Sequence, residues 1–147
     1  MPLKSKLEII EEIAAYYSED TSRRGYDANR GVCLYYMNEN KMCAVGYCLK
    51  NPEKFKAFEG TIDGFLQEGK IKHKDFKPEY QLQGNIESKA RFWKDLQDFH
   101  DITGNWNREG LTDQGQDMLK RLRKTYAVIK YSFLLKQQLE RVLYGKS

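Results

Sequence analysis

Two short segments hold the residue types that do chemistry. Cys33 and Cys43 have nine residues between them, Cys48 follows after a further four, and far downstream lies His100-Asp101, His100 being one of two histidines. A cysteine becomes a nucleophile only as a thiolate, beside a base or a positive charge. A Cys/Cys/His/Asp set is also one that zinc tolerates. The plainer reading is favoured. Free cysteine packs as a small hydrophobe, and a helical histidine followed by aspartate makes a helix-end hydrogen bond. The spacing lacks the repeated Cys-x-x-Cys pairs of zinc frameworks. No catalytic residue, metal or cofactor is therefore expected, and His73, in a lysine-rich stretch, is read as neither ligand nor base.

A second group points to ligand binding. Arg23, Arg24, Tyr26 and Arg30 precede Cys33, and Tyr35 and Tyr36 follow it. Arginine grips phosphate with two parallel hydrogen bonds, and tyrosine stacks on bases. A polar surface loop beside a half-buried sheet would carry the same residues. Arg23, Arg24, Tyr26, Arg30, Tyr35, Tyr36, His100 and Asp101 are the ligand-site candidates. Gly25, Gly31 and Gly46 are too scattered for a phosphate loop, and no paired carboxylates stand at a telling spacing. Binding is thus favoured over turnover.

These residues need elements to position them. Leu7, Ile10, Ile13, Ala14 and Tyr17 recur at three- and four-residue steps and predict a helix over 3–18. Residues 18–30 read as a polar loop. The alternation from Gly31, the Asn38–Lys41 turn and Met42–Gly46 predict a β-hairpin over about 32–46. Pro52 opens a short helix to about Phe58, Gly60 and Gly64 punctuate the next piece of chain, and Lys70–Pro78 reads as an exposed basic stretch. Phe92, Leu96 and Phe99 predict a helix over 87–102. Thr112 caps a last helix, with Leu119, Leu122, Tyr126, Ile129 and Phe133 on one stripe and Leu135, Leu139 and Val142 continuing it after a phase shift. About 32 residues at 1.5 Å each gives roughly 48 Å, against a domain diameter of roughly 30 Å. The fold class predicted is α+β, mainly α: one domain over 1–147, a body over 1–110 and a C-terminal helix over 112–145 that serves oligomerisation.

The 147 residues are 40% hydrophobic and 31% charged, which fits a folded chain with a real core rather than a disordered one. No apolar run is long enough for a membrane helix, and the acidic start of the first helix is unlike a signal peptide. A cytoplasmic protein with three free thiols and no membrane partner is expected. Of the net charge of +4, the segment from Thr112 onward carries eight basic against three acidic residues. That surplus suits a solvated helix face, or less favourably an anionic partner such as nucleic acid.

Cys33-Leu34-Tyr35, Cys43-Ala44-Val45-Gly46, Glu59-Gly60 and Leu96-Gln97 with His100-Asp101 follow one another in an order that resembles a family of small tailed-phage and prophage proteins. The match spans roughly residues 30–105. The turn departs from that family's Gly/Asp-rich pattern, and the C-terminal helix lies outside it. The resemblance implies a phage origin but supplies no reaction. In that setting the expected function is counter-defence: sequestering a small nucleotide-type immune signal of the cyclic-nucleotide or cyclic ADP-ribose kind. The alternatives are a Cys/His or metal-dependent hydrolase, and an inhibitor or adaptor that binds a host protein or nucleic acid through the basic C-terminal helix.

Overall fold

The computed structural model describes residues 2–145, and the side chains of all of these except 128–134. The fold is α+β and mainly α. Helix α1 (Lys6–Glu19) starts where Ser5 and Glu8 satisfy each other's backbone N–H groups in a capping box. It buries Ile9, Ile10, Ile13, Ala14 and Tyr17. Helix α4 (Ile86–Asp101) is capped by Asn85, whose side chain accepts from the Ser88 N–H. It buries Phe92, Trp93, Leu96, Phe99 and His100. Helix α5 (Asp113–Tyr144) is capped by Thr112 as its sequence predicts, and ends on left-handed Gly145. Leu119, Leu122 and Tyr126 are buried, whereas Leu135, Leu139 and Val142 are exposed. Ile129 and Phe133 fall outside the described side chains. Among the described residues no helix is long and apolar enough to cross a membrane.

The expected hairpin over 32–46 is displaced. Strands β1 (Tyr26–Asp27) and β2 (Val32–Cys33) pair antiparallel with Tyr26 opposite Cys33. Strands β3 (Trp106–Asn107) and β4 (Gly110–Leu111) make a second such pair. The turn at Asn38–Lys41 does form, closed by Met37 N–H to Lys41 O at 2.9 Å and Cys43 N–H to Leu34 O at 3.1 Å. Its second arm then coils into helix α2 (Ala44–Cys48), capped by Cys43, whose sulfur accepts from the Gly46 N–H. The reason is burial. A strand over this segment would send alternate side chains to solvent, but Cys43, Ala44, Val45 and Cys48 are all buried.

Helix α3 (Ile62–Glu68) is the element the glycine punctuation obscured. Thr61 caps it, and Gly69, at φ 74°, ends it in the left-handed conformation. Ile62, Phe65 and Leu66 are its buried residues. The basic stretch 70–78 is also less exposed than its lysines suggest. Ile71 and Phe76 are buried, with Phe76 stacked on Trp93 at 4.6 Å.

One carboxylate ties α1 to α2 and to the turn at Tyr80. Glu12 accepts from Tyr47 Oη and Tyr80 Oη, both at 2.8 Å, and from Lys4 Nζ at 2.6 Å. Burial works against the Glu12 carboxylate, yet those three donors hold its pKa below the usual carboxylate value. A carboxylate depressed in the fold adds stability above its unfolded pKa, and that stability is lost as pH falls through the folded value. Glu12→Gln is therefore expected to lose about 1–3 kcal/mol at pH 7. Its penalty should shrink below the ordinary glutamate range near pH 4.5, read as converging melting curves of variant and parent in an acid series.

Candidate functional site

The last turn of α4 leaves backbone carbonyls without helical partners. They are met by side chains from elsewhere in the chain. Arg24 Nε donates to His100 O at 3.0 Å and Arg24 Nη2 to Asp101 O at 3.2 Å. Trp106 Nε1 donates to His100 O at 3.0 Å, and Asn105 Nδ2 to Phe99 O at 2.9 Å. Arg24 is 8% exposed, and its guanidinium lies 5.7 Å from the Tyr26 ring and 5.8 Å from the Trp106 ring. A cation at a helix C-terminus is also favoured by the helix dipole.

The side chains of that turn are held as firmly. The His100 ring is fully buried, with its centroid 4.7 Å from that of Tyr17. Its Nδ1 meets Asp101 Oδ1 at 2.7 Å. Gln97 donates to the same oxygen at 2.9 Å, while its own carbonyl accepts from the Val45 N–H at 3.3 Å. Cys33 arrives on β2 and brings its thiol close to the Asp101 carboxylate. Cys33 Sγ, a His100 ring nitrogen and an Asp101 carboxylate oxygen all lie within 4.8 Å of one another. His100 Nε2 is buried without a hydrogen-bond partner among the described residues.

These surroundings set the resting protonation. Burial, and then Asp101, push the Cys33 thiol well up. Burial pulls the His100 imidazole down, against the pull of Asp101. Cys33 is thus a thiol at neutral pH, not a poised nucleophile. Cys43 is fully buried, and burial together with Asp101 pushes it up to about 12. Cys48 is driven up by burial too. Both pack and neither faces a cleft.

Above this cluster opens a cleft of about 410 Å³ lined by Tyr26, Arg30, Cys33, Glu59, Asp101 and Thr103. A cavity of about 80 Å³ shares Cys33, Gly60 and Asp101 with it. Arg30 and Glu59 form an ion pair in the lining.

Of the residues the sequence singled out, Tyr26, Arg30 and Asp101 line the cleft, and His100 stands behind Asp101. Tyr35 belongs to the smaller cavity; it is buried and donates to Gly60 O at 3.2 Å. Three others are placed away from the cleft. Arg23 lies over the Tyr16 ring at 4.6 Å and donates to Tyr16 O. Arg24 is committed to the α4 carbonyls, and Tyr36 lines neither cavity. Glu59 and Thr103 were not among the predicted ligand residues. The Glu59-Gly60 pair was a signal for the first; Thr103 had none.

The short motifs along residues 33–101 also converge. Tyr35 reaches Gly60, Val45 reaches Gln97, and Gly46 sits against the Tyr35 carbonyl. Compared with protein-family models, curated proteins and solved structures, the chain matches none.

The contact at Gly46 yields a clear test. A Cβ added there would lie 1.9 Å from Tyr35 O, a backbone atom that cannot swing aside. Gly46→Ala is expected to cost roughly 3 kcal/mol or more. Gly31→Ala meets nothing within 4 Å and suffers only from its φ of 67°, so about 1 kcal/mol is expected. Urea unfolding of the two variants checks the contrast.

Proposed function

We propose that the chain binds a small nucleotide-type ligand in the Tyr26–Arg30–Glu59 cleft and holds it without turnover. The observation that carries this reading is the cleft itself. Its volume of about 410 Å³ falls in the usual range for small-molecule sites. Arg30 offers a guanidinium fork for phosphate, and Tyr26 an aromatic face. Glu59 and Thr103 offer acceptors for sugar hydroxyls. A ligand phosphate would replace Glu59 as the partner of Arg30, freeing the carboxylate to accept from a hydroxyl. The protonated state of Cys33 speaks against a cysteine nucleophile. The resemblance to small phage proteins supplies the setting, in which the ligand is an immune signal of the cyclic-nucleotide or cyclic ADP-ribose class. This step is one of analogy.

A second copy of the chain is the partner we propose for α5. Leu135, Leu139, Val142, Leu143 and Tyr144 are exposed on its last turns. Apolar residues in such numbers suit a protein interface better than a nucleic-acid one, which ranks the adaptor reading on the basic helix lower.

Calorimetric titration with cyclic dinucleotides and cyclic ADP-ribose isomers tests the binding. Arg30→Ala should weaken it by about 1.5–3 kcal/mol, roughly ten- to a hundredfold. Arg23→Ala should leave it unchanged. Ligand released by heat should be chemically intact by mass spectrometry. No binding by the parent chain, or equal loss in both variants, removes this reading; an altered product shifts it to a hydrolase. For α5, light scattering should give a mass above the 17.3 kDa of one chain, and Leu139→Glu should return it to that value.

A further inference from the structure

We propose that Cys33, His100 and Asp101 form a three-ligand site for zinc or a similar borderline divalent transition metal at the floor of the cleft. The donors come from two elements, β2 and the last turn of α4, and their ligating atoms are already within 4.8 Å of one another. A tetrahedral zinc with bonds of about 2.0–2.3 Å holds its donors roughly 3.5 Å apart. The widest separation closes by roughly 1.3 Å, and His100 Nδ1 and Asp101 Oδ1, now 2.7 Å apart, part to admit the metal. Thiolate, imidazole and carboxylate together suit zinc, whereas magnesium and calcium take oxygen ligands.

Three further features make this a built site rather than a chance meeting. Charge balances: binding expels the thiol proton to solvent, and thiolate plus carboxylate match the two charges of the metal around a neutral imidazole. An orienting residue is in place, since the Gln97 amide holds Asp101 Oδ1 at 2.9 Å and is itself anchored by Val45 N–H. An entry path exists, because Cys33 and Asp101 line the cleft and Cys33 is half-buried, unlike the fully buried Cys43 and Cys48. The fourth coordination position then faces the cleft. The alternative is a purely structural cluster in which Asp101 merely collects hydrogen bonds from Gln97 and His100.

The site does not rest on the nucleotide reading, and its test uses no nucleotide. The full chain is stripped with a chelator and titrated with cobalt(II), then with zinc in competition with a chromophoric chelator. One metal per chain is expected, with a cobalt–thiolate charge-transfer band and the strong visible bands of tetrahedral cobalt. Cys33→Ser should abolish the charge-transfer band and weaken zinc by roughly a hundredfold or more, and Gln97→Ala by about tenfold. Cys43→Ala and Cys48→Ala should keep the band. Should Cys33→Ser fail to fold by circular dichroism, a band retained in both other cysteine variants still assigns the thiolate to Cys33. Absence of the band in the parent chain overturns the site, as does its loss in Cys43→Ala or Cys48→Ala, or unchanged zinc binding by a folded Cys33→Ser.

Discussion

The fold depends on how the last turn of α4 is finished. A helix end inside a core leaves carbonyls that water cannot reach, and each unmet carbonyl costs free energy comparable to a lost hydrogen bond. Here the donors come from far along the chain. Arg24 precedes His100 by 76 residues, and Trp106 and Asn105 reach back from the other side. Arg24 has no carboxylate partner among the described ion pairs, so its buried charge is met by the carbonyl end of the helix and by two aromatic faces. Holding that guanidinium in place fixes the chain that leads into β1, and so the approach of β2 and Cys33 to Asp101.

The same solution creates the site. Once the backbone carbonyls are satisfied, the side chains of the turn are free for other partners. Gln97 joins α4 to the start of α2, His100 fills the space beside Tyr17, and Asp101 is left at the boundary between core and cleft. A residue with one face in the core and one in a cleft is where binding chemistry is easiest to build, since its orientation is already fixed by packing. Binding at such a position draws on rigidity the fold needs anyway, and little ordering entropy remains to be lost on association.

The helices were legible wherever burial follows one stripe: the stripe alone announced α1 and α4, and for α5 the Thr112 cap marked the start as well. The hairpin was displaced because alternation in Gly31–Tyr36 was extended through Cys43–Gly46, where neighbouring residues are buried in succession and an edge strand with one face to solvent would not bury them. Helix α3 was hidden because Gly60, Gly64 and Gly69 look like breaks. Only Gly69 ends a helix, while Gly64 lies inside one. At the site, the meeting of Cys33 with His100-Asp101 was visible as a possibility from residue type. The fate of Arg24 was not. Adjacent arginines before a glycine look like surface residues, and nothing local announces a carbonyl 76 residues away.

The charges around the cleft join the two proposals. The lining sets the carboxylates of Asp101 and Glu59 against the guanidinium of Arg30, so an anionic ligand gains from any cation that offsets Asp101. Zinc held as proposed by the Cys33 thiolate and Asp101 would make the floor neutral and leave Glu59 and Arg30 to cancel. A phosphate that displaced Glu59 from Arg30 would then meet no uncompensated carboxylate beneath it. A cleft lined by carboxylates can thus suit a phosphate-bearing ligand. The hydrogen bonds around Asp101 at its floor hold the donors in place without a metal, and with the proposed metal the same residues would present a balanced, oriented surface.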